Sequence, residues 1–171
     1  MGFFKKLFTG KENKKPVVKR TLLNLRIGDF LTYYGEDYEV FAVVDWMEQG
    51  LSYKEYKLKK NLNESYWMTA EIDDGELLVL FYTIVNDFKT DIPPARKIKF
   101  DNEEYELEET GQAVGKLKSN IASQDMKCKY WYYECTSNEE KVFSIEDYSG
   151  DFEASYGIKV LESEIDILPG G

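Results

Sequence analysis

The chain has 171 residues, of which 32 are acidic and 22 basic, and its formal net charge is -10. It contains no histidine, which removes the commonest general base and transition-metal ligand and excludes Ser-His-Asp and Cys-His catalysis. Apolar residues make up 43% of the chain, so we expect a globular body with its own core, without disulfides or metal.

The first 20 residues carry a charge opposite to that of the rest. They hold seven basic residues and one acidic residue, a net charge of +6, whereas the remaining 151 residues carry 15 basic and 31 acidic residues, a net charge of -16. An anionic body repels a phosphate backbone, so no nucleic-acid partner is expected. Residues 1–20 are predicted to be a basic amphipathic tail and linker that attracts an anionic partner.

The start of this tail has an amphipathic pattern. As a helix it would place four apolar side chains on one face with two lysines beside them, which is typical of a short interfacial anchor. We expect contact with an anionic membrane surface or a groove in an unidentified protein partner; the alternative is that the segment packs on its own domain. The contact residues would be Phe3, Phe4, Lys5, Lys6, Leu7 and Phe8.

Targeting signals and cysteines indicate the compartment. No run of 18 apolar residues and no signal-peptide pattern occurs, so we expect a cytoplasmic protein, at the inner face of the membrane if the tail binds there. Cys128 and Cys135 would lie roughly 23 Å apart on opposite faces of one strand, so we expect free thiols.

From Leu22 onward the apolar pattern has the period of β-strands. Turn sequences at residues 35–37, 61–63, 73–75, 102–103 and 149–151 give hairpin spacing, and no helical pattern follows residue 20. We therefore predict an all-β fold. Its first long strand should be buried on both sides, one formed by Tyr38, Val40, Ala42, Val44 and Trp46 and the other by Phe41, Val43 and Met47.

An internal repeat organises the rest of the chain. Residues 31–40 resemble residues 98–107, residues 53–58 resemble 130–135, and residues 68–77 resemble 143–152, in the same order. This predicts two antiparallel meanders of about four strands, residues 21–92 and 93–168, with residues 169–171 as a C-terminal tail. The second repeat is longer, and we place the extra residues at 109–127 as an extended hairpin or mobile loop. Neither meander can bury its apolar face alone, so we expect a pseudo-two-fold sandwich or barrel.

The repeat nominates one pair of carboxylates. Glu71 and Glu146 hold equivalent positions before equivalent turns, and two carboxylates about a cleft can act as general acid and base. The alternative is that both are solvated strand-end residues. The Asp73-Asp74-Gly75 sequence lacks the spacing of a calcium loop and reads as a hairpin turn. We predict no catalytic residue, no metal site and no cofactor.

An aromatic cluster supplies the other candidate surface. Tyr130, Trp131 and Tyr132 place rings on both sides of one strand, so one side could contact a ligand or a protein. The alternative is that Trp131 and Tyr133 fill the core while Tyr130 and Tyr132 flank a neighbouring strand.

Several short motifs resemble a bacterial family known only as a domain of unknown function. They are Leu25-Arg-Ile-Gly-Asp-Phe-Leu-Thr-Tyr33, Tyr38-Glu-Val40, Glu55-Tyr56-x-Leu58 and Tyr66-Trp67. Tyr53 stands where the family has tryptophan before Glu-Tyr, and Trp-Met replaces Trp-Leu. Members are often encoded near phage-shock-type membrane-stress proteins, so the resemblance implies an envelope-stress accessory. It implies no catalytic residues.

Three functions follow as expectations. The first is a non-enzymatic protein-binding or accessory protein, peripheral to the membrane. The second is a carboxylate-dependent enzyme on a small or sugar-like ligand, for which Glu71 and Glu146 must face one cleft. The third is a ligand-binding module that uses the Tyr130–Tyr133 rings.

Overall fold

The fold consists of β-strands with one short 3-10 turn. The computed structural model describes residues 18–171, and no α-helix occurs within that range. The all-β prediction, with two antiparallel halves packed as a sandwich or barrel, is confirmed. The elements are β1 (Phe30–Tyr33), β2 (Glu36–Glu48), β3 (Leu51–Lys59), β4 (Ser65–Asp73), β5 (Glu76–Ile84), β6 (Lys97–Phe100), β7 (Glu103–Ser119), β8 (Ser123–Cys135), β9 (Asn138–Tyr148), β10 (Asp151–Lys159), the 3-10 turn (Glu162–Glu164) and β11 (Ile165–Leu168).

Tight turns connect most neighbouring strands. Asp74 and Gly75, between β4 and β5, both have positive φ angles, 47° and 86°. Two consecutive residues of that kind match the right-handed twist of the flanking strands, and Asp-Gly is a preferred pair for them. The turn sequences therefore fold as hairpins, as the sequence predicts.

All strands belong to one antiparallel sheet that closes on itself. Its order is β11-β1-β2-β3-β4-β5-β10-β9-β8-β7-β6, and β2 also pairs with β7. That extra pairing joins the two halves, with Val44 opposite Leu117 and Trp46 opposite Gly115. Eight strands, β2-β3-β4-β5-β10-β9-β8-β7, thus form a ring, and β1, β11 and β6 lie outside it.

The two repeats have matching strands, five in each rather than about four. β1 to β5 correspond in order and pairing to β6 to β10. A β-bulge interrupts β2 at Phe41, and another interrupts β7 at the equivalent residue, Glu108. The extra residues of the second half extend β7 and β8 into a long hairpin, and residues 85–96 connect the halves without a strand.

The bulge at Phe41 corrects one expectation about β2. Five alternate residues were expected on one face, but the bulge reverses the alternation within the strand. Tyr38 and Val40 pack in an outer core, whereas Val44 and Trp46 face the inside of the ring. Burial on both faces is confirmed for Val43 and Val44, and Met47 is exposed.

Each half has its own apolar core on the outer side of the ring. The first core includes Tyr56, Leu58 and Met68 and is covered by β1, β11 and the segment around Leu22. The second includes Tyr105, Tyr133 and Phe143 beneath β6. Since these cores carry most of the buried apolar surface, the inside of the ring is free to hold polar groups.

The first described residues dock on the body. Arg20, expected in a solvated linker, instead pairs through Nε with Asp29 Oδ2 at 2.8 Å. The Asp29 carboxylate, 2% exposed, also accepts the backbone N–H groups of Arg26 at 2.7 Å and Gly170 at 2.8 Å. One side chain therefore ties both ends of the described chain to the turn before β1. Among residues 18–171 there is no helix long and apolar enough to cross a membrane.

Candidate functional site

The inside of the ring contains a cavity of about 770 Å³. Because side chains alternate across each strand, the residues facing away from the outer cores point into it. Aromatic and acidic side chains dominate its wall. The inward residues are Trp46 and Glu48 from β2, Tyr53 and Glu55 from β3, Thr69 and Glu71 from β4, Leu80 and Tyr82 from β5, Glu109 from β7, Cys128, Tyr130 and Tyr132 from β8, Ser144, Glu146 and Tyr148 from β9, and Lys159 from β10.

The structure brings the predicted carboxylate pair into this one cavity. Glu71 on β4 and Glu146 on β9 both line it. Their equivalence is visible in the pairing, since Glu71 lies opposite Leu78 and Glu146 opposite Glu153 in the matching hairpins. Each side chain is partly buried, which disfavours the alternative that they are solvated strand-end residues.

Glu55 is the most buried carboxylate of the cavity wall. It is 8% exposed, and its Oε2 accepts the indole Nε1–H of Trp46 at 2.8 Å. No lysine or arginine within residues 18–171 pairs with it. An ionised Glu55 would therefore carry an uncompensated charge in a desolvated position.

Burial raises the pKa values of several of these acids. Burial, and then the charge of Glu146, raises the pKa of Glu55 to about 8. Burial also raises the pKa of Glu146, and burial followed by the charge of Asp73 raises that of Glu71. Burial and the charge of Glu146 raise the pKa of Glu153 to about 7. The inside of the ring thus binds protons near neutral pH.

Hydrogen bonds from its own strand orient the carboxylate of Glu146. Tyr148 donates its hydroxyl to Glu146 Oε2 at 2.5 Å, and Ser144 donates to Oε1 at 3.1 Å. Both donors come from β9, so one strand fixes the carboxylate of Glu146 towards the cavity.

Another pair of acids, Glu48 and Glu109, lies where β2, β7 and β8 meet. The Tyr130 hydroxyl lies 2.9 Å from Glu48 Oε2 and 3.0 Å from Glu109 Oε1. A hydroxyl has a single proton, so it can donate to only one of the two carboxylates at a time. Gly111 makes room for this arrangement, since a Cβ there would lie 2.7 Å from the Tyr130 hydroxyl.

The aromatic cluster divides between two faces of β8. Tyr130 and Tyr132 line the cavity, as the ligand-surface expectation requires. Trp131 does not belong to that surface: it is 4% exposed and packs in the second outer core with Tyr133. This corrects its assignment as a contact residue and agrees with the alternative that Trp131 and Tyr133 fill the core.

Few cations balance the acids inside the ring. Lys159 Nζ lies 2.7 Å from Glu134 Oε1, and Lys54 pairs with Asp45 at the rim. The described ion pairs leave Glu48, Glu55, Glu71, Glu109 and Glu146 without a basic partner. The cavity wall therefore carries excess negative charge whenever these acids are ionised.

The acids do not converge on a single point. Over the described part of the chain, no three acidic or thiol side chains lie close enough together to hold a metal ion. Cys128 and Cys135 are both free thiols, buried on opposite faces of β8. The tail residues Phe3, Phe4, Lys5, Lys6, Leu7 and Phe8 lie outside the described residues.

Sequence reasoning missed Glu48, Glu55, Glu109 and the tyrosines Tyr53 and Tyr148. No local signal marks Glu55, since the alternate residues on its face of β3 are of mixed polarity: Leu51, Tyr53, Lys57 and Lys59. Which face of β3 lies inside the ring depends on the β2–β7 pairing.

A comparison with protein-family models matches residues 26–162 to a family described as Domain of unknown function (DUF4178). The chain belongs to the DUF4178 family. The DUF4178 match spans β1 to β10 and contains every strand of the ring. Searches of curated proteins and of solved structures found no significant match.

Proposed function

We propose that this DUF4178 protein is a binding module that takes a small molecule inside its strand ring. The single observation that carries the proposal is the 770 Å³ cavity lined by tyrosines, Trp46 and glutamates. Small-molecule sites have volumes of roughly 300–1,000 Å³, with apolar and aromatic walls and a few placed polar groups. Tyr130 and Tyr132 contribute here the rings that the sequence nominated.

Burial of polar groups supports the same conclusion. A protein interior normally pairs its charges, because an unpaired buried charge is unfavourable by several kcal/mol. Glu55 and Glu146 are set in the ring without a basic partner. Natural proteins retain such unfavourable groups mostly where they bind or react.

The test is a binding screen of the full chain with defined soluble compounds of cationic, neutral and anionic classes, read by thermal shift and native mass spectrometry. Thr69→Phe places a ring in the cavity, and Thr83→Phe puts the same change on the exposed side of β5. We expect at least one class to bind the native chain and the Thr83 variant but not the Thr69 variant. Equal binding by all three proteins, or none, would overturn the proposal.

A carboxylate-dependent reaction in the same cavity is the second candidate. Glu71 and Glu146 lie in one cavity, and burial raises the pKa of each. Aryl glycosides are a suitable assay, since paired carboxylates hydrolyse glycosidic bonds. Turnover that is lost in Glu146→Gln and kept in Glu76→Gln would favour this candidate, and no turnover would remove it for these substrates.

An accessory role at the membrane is a separate proposal that rests on the tail. Its support is the +6 charge of residues 1–20 and the apolar residues among Phe3–Phe8; the envelope-stress setting rests on the family resemblance. A basic amphipathic segment binds anionic lipid through charge and apolar contact. In flotation with anionic vesicles, the full chain should float and a chain lacking residues 1–15 should not; equal flotation would overturn the membrane contact.

A further inference from the structure

We propose that the ligand of the ring cavity is an organic cation bearing an ammonium group, held between the Glu55–Glu146 carboxylates and the tyrosine faces. This inference rests on the proposed function and names the chemical class of its ligand.

The acidic side chains of the cavity wall indicate that the ligand is positively charged. Glu55 is more than nine-tenths buried and lines the cavity, and only one of its oxygens, Oε2, has a hydrogen-bond donor within residues 18–171. Its other oxygen is left for a ligand. An ammonium group supplies both a donor and the missing positive charge.

A compact metal ion does not fit these acids. The described chain holds no group of three acidic side chains close enough to ligate one ion. The acids are instead spread along the wall, with Glu48 and Glu109 at Tyr130, Glu71 on β4, and Glu55 beside Glu146. An extended cation with a carbon skeleton reaches such separated carboxylates, whereas a hard metal ion needs six or more oxygens around it.

The aromatic rings suit an organic cation. Ammonium groups are attracted to the faces of tryptophan and tyrosine rings, most strongly where water is excluded. The strand ring already contains one cation–π contact, since Lys57 Nζ lies 5.3 Å from the centroid of the Trp67 indole. Tyr53, Tyr82 and Tyr132 line the cavity alongside the acids.

The raised pKa values of Glu55 and Glu146 mean that a bound ammonium group can replace their protons. Burial holds the pKa of Glu55 at about 8 and raises that of Glu146. Without a bound cation, these carboxyl groups therefore keep their protons at the place where an ammonium ligand would put its charge. Binding the cation favours the ionised carboxylates, so it releases protons.

The test uses matched probe compounds on the full chain. Isothermal titration calorimetry at pH 8.5 and low salt compares benzylamine with benzyl alcohol and benzoate, and 1,6-diaminohexane with 1,6-hexanediol and adipate. We expect at least one amine to bind ten-fold or more tightly than its neutral and anionic counterparts. Glu55→Gln and Glu146→Gln should each weaken that binding at least ten-fold, and Glu76→Gln, on the exposed start of β5, should leave it unchanged.

Each remaining result overturns the inference. Preference for the alcohols or acids, with loss in Thr69→Phe, would contradict the cationic class but leave the binding module standing. Binding of Ca²⁺ or Mg²⁺ with no amine binding would also contradict it. If none of the compounds bound and the wider screen was also negative, both proposals would fail.

Discussion

Trp46 on β2 and Glu55 on β3 are diagonal neighbours inside the ring, and the indole Nε1–H of Trp46 is donated to Glu55 Oε2 at 2.8 Å. The tryptophan thus supplies a neutral donor to a buried acid that has no basic partner in the described chain. A neutral hydrogen bond only partly replaces the hydration lost on burial. The Trp46–Glu55 pair should therefore govern how both folding stability and ligand binding change with pH.

Stability should fall as pH rises towards 8, because of Glu55. Its folded pKa of about 8 lies above the unfolded value of about 4.3, so the folded state binds more protons between those two values. The free energy of unfolding therefore decreases through that window. Glu153, with a pKa raised to about 7, acts in the same direction.

The variant that tests this pH dependence is Glu55→Gln, which stays neutral at all pH values and still offers an acceptor to Trp46. Urea denaturation at pH 5.5 and 8.5 should show that the native chain loses stability between the two values, and that this loss is smaller in the variant by on the order of 3 kcal/mol. The loss that remains in the variant comes from the other acids with raised pKa values, such as Glu153. Glu76→Gln, exposed on β5, should keep the native pH dependence. An unchanged slope in Glu55→Gln would contradict the raised pKa.

Removing the indole donor should destabilise the protein more at high pH. Trp46→Phe leaves Glu55 Oε2 without its partner and should lower the free energy of unfolding by about 1–3 kcal/mol beyond the packing loss at pH 8.5. A double-mutant cycle with Glu55→Ala, which removes the acceptor, isolates that interaction from the change in ring size. A coupling energy of zero would show that the two side chains do not interact.

Glycines inside the ring should not tolerate a methyl group. A Cβ at Gly115 would lie 2.5 Å from the Trp46 ring, and one at Gly157 would lie 2.5 Å from the Tyr82 ring. Gly115→Ala and Gly157→Ala should each destabilise the fold by about 1–3 kcal/mol, read as a lower Tm. Gly171→Ala, where nothing lies within 4 Å, is the control, and equal Tm values for all three would contradict the close packing.

Asp29 should be the most sensitive acid outside the ring. It holds Arg20 and the N–H groups of Arg26 and Gly170, so Asp29→Asn leaves a partly buried guanidinium unpaired. We expect a loss of about 2–4 kcal/mol in chemical denaturation. Glu104→Gln, which breaks the exposed pair with Lys97, should change stability by less than about 1 kcal/mol.

Affinity for an amine should rise with pH between about 6 and 8.5. The groups around Glu55 come from five other strands and from β3 itself. They are Trp46 (β2), Tyr82 (β5), Cys128 (β8), Glu146 and Tyr148 (β9) and Glu153 (β10), together with Tyr53 and Lys57 on β3. Of these, the raised pKa values of Glu55 and Glu153 fall in that pH range. Titration at pH 6.0, 7.0 and 8.5 should show tightening with each step, and a flat profile would contradict proton exchange.

The strand pattern and the repeat were readable from local sequence. Alternation, Asp-Gly-type turns and the Glu71/Glu146 equivalence are encoded within short segments, and the structure places them as expected. The identity of the inner face was not readable, because the bulges at Phe41 and Glu108 reverse the alternation in mid-strand. A bulge has no reliable sequence signal when every neighbouring residue suits a strand.

The cavity depends on a contact between distant segments. β2 and β7 pair through residues about 70 positions apart, such as Val44 with Leu117. Only that pairing turns Glu55, Glu146 and Tyr130 towards a common interior. The carboxylate pair was therefore found by its symmetry, while Glu55, which lacks a symmetric acidic partner, was not.

The most direct test of an interior binding site is a ¹H–¹⁵N NMR titration of the indole resonances with the tightest-binding probe. Trp46 lines the cavity and bonds to Glu55, whereas Trp131 lies in the second outer core. We predict that the Trp46 indole Nε1–H resonance shifts with ligand concentration while that of Trp131 stays in place. A shift of Trp131 with Trp46 unmoved would contradict binding inside the ring.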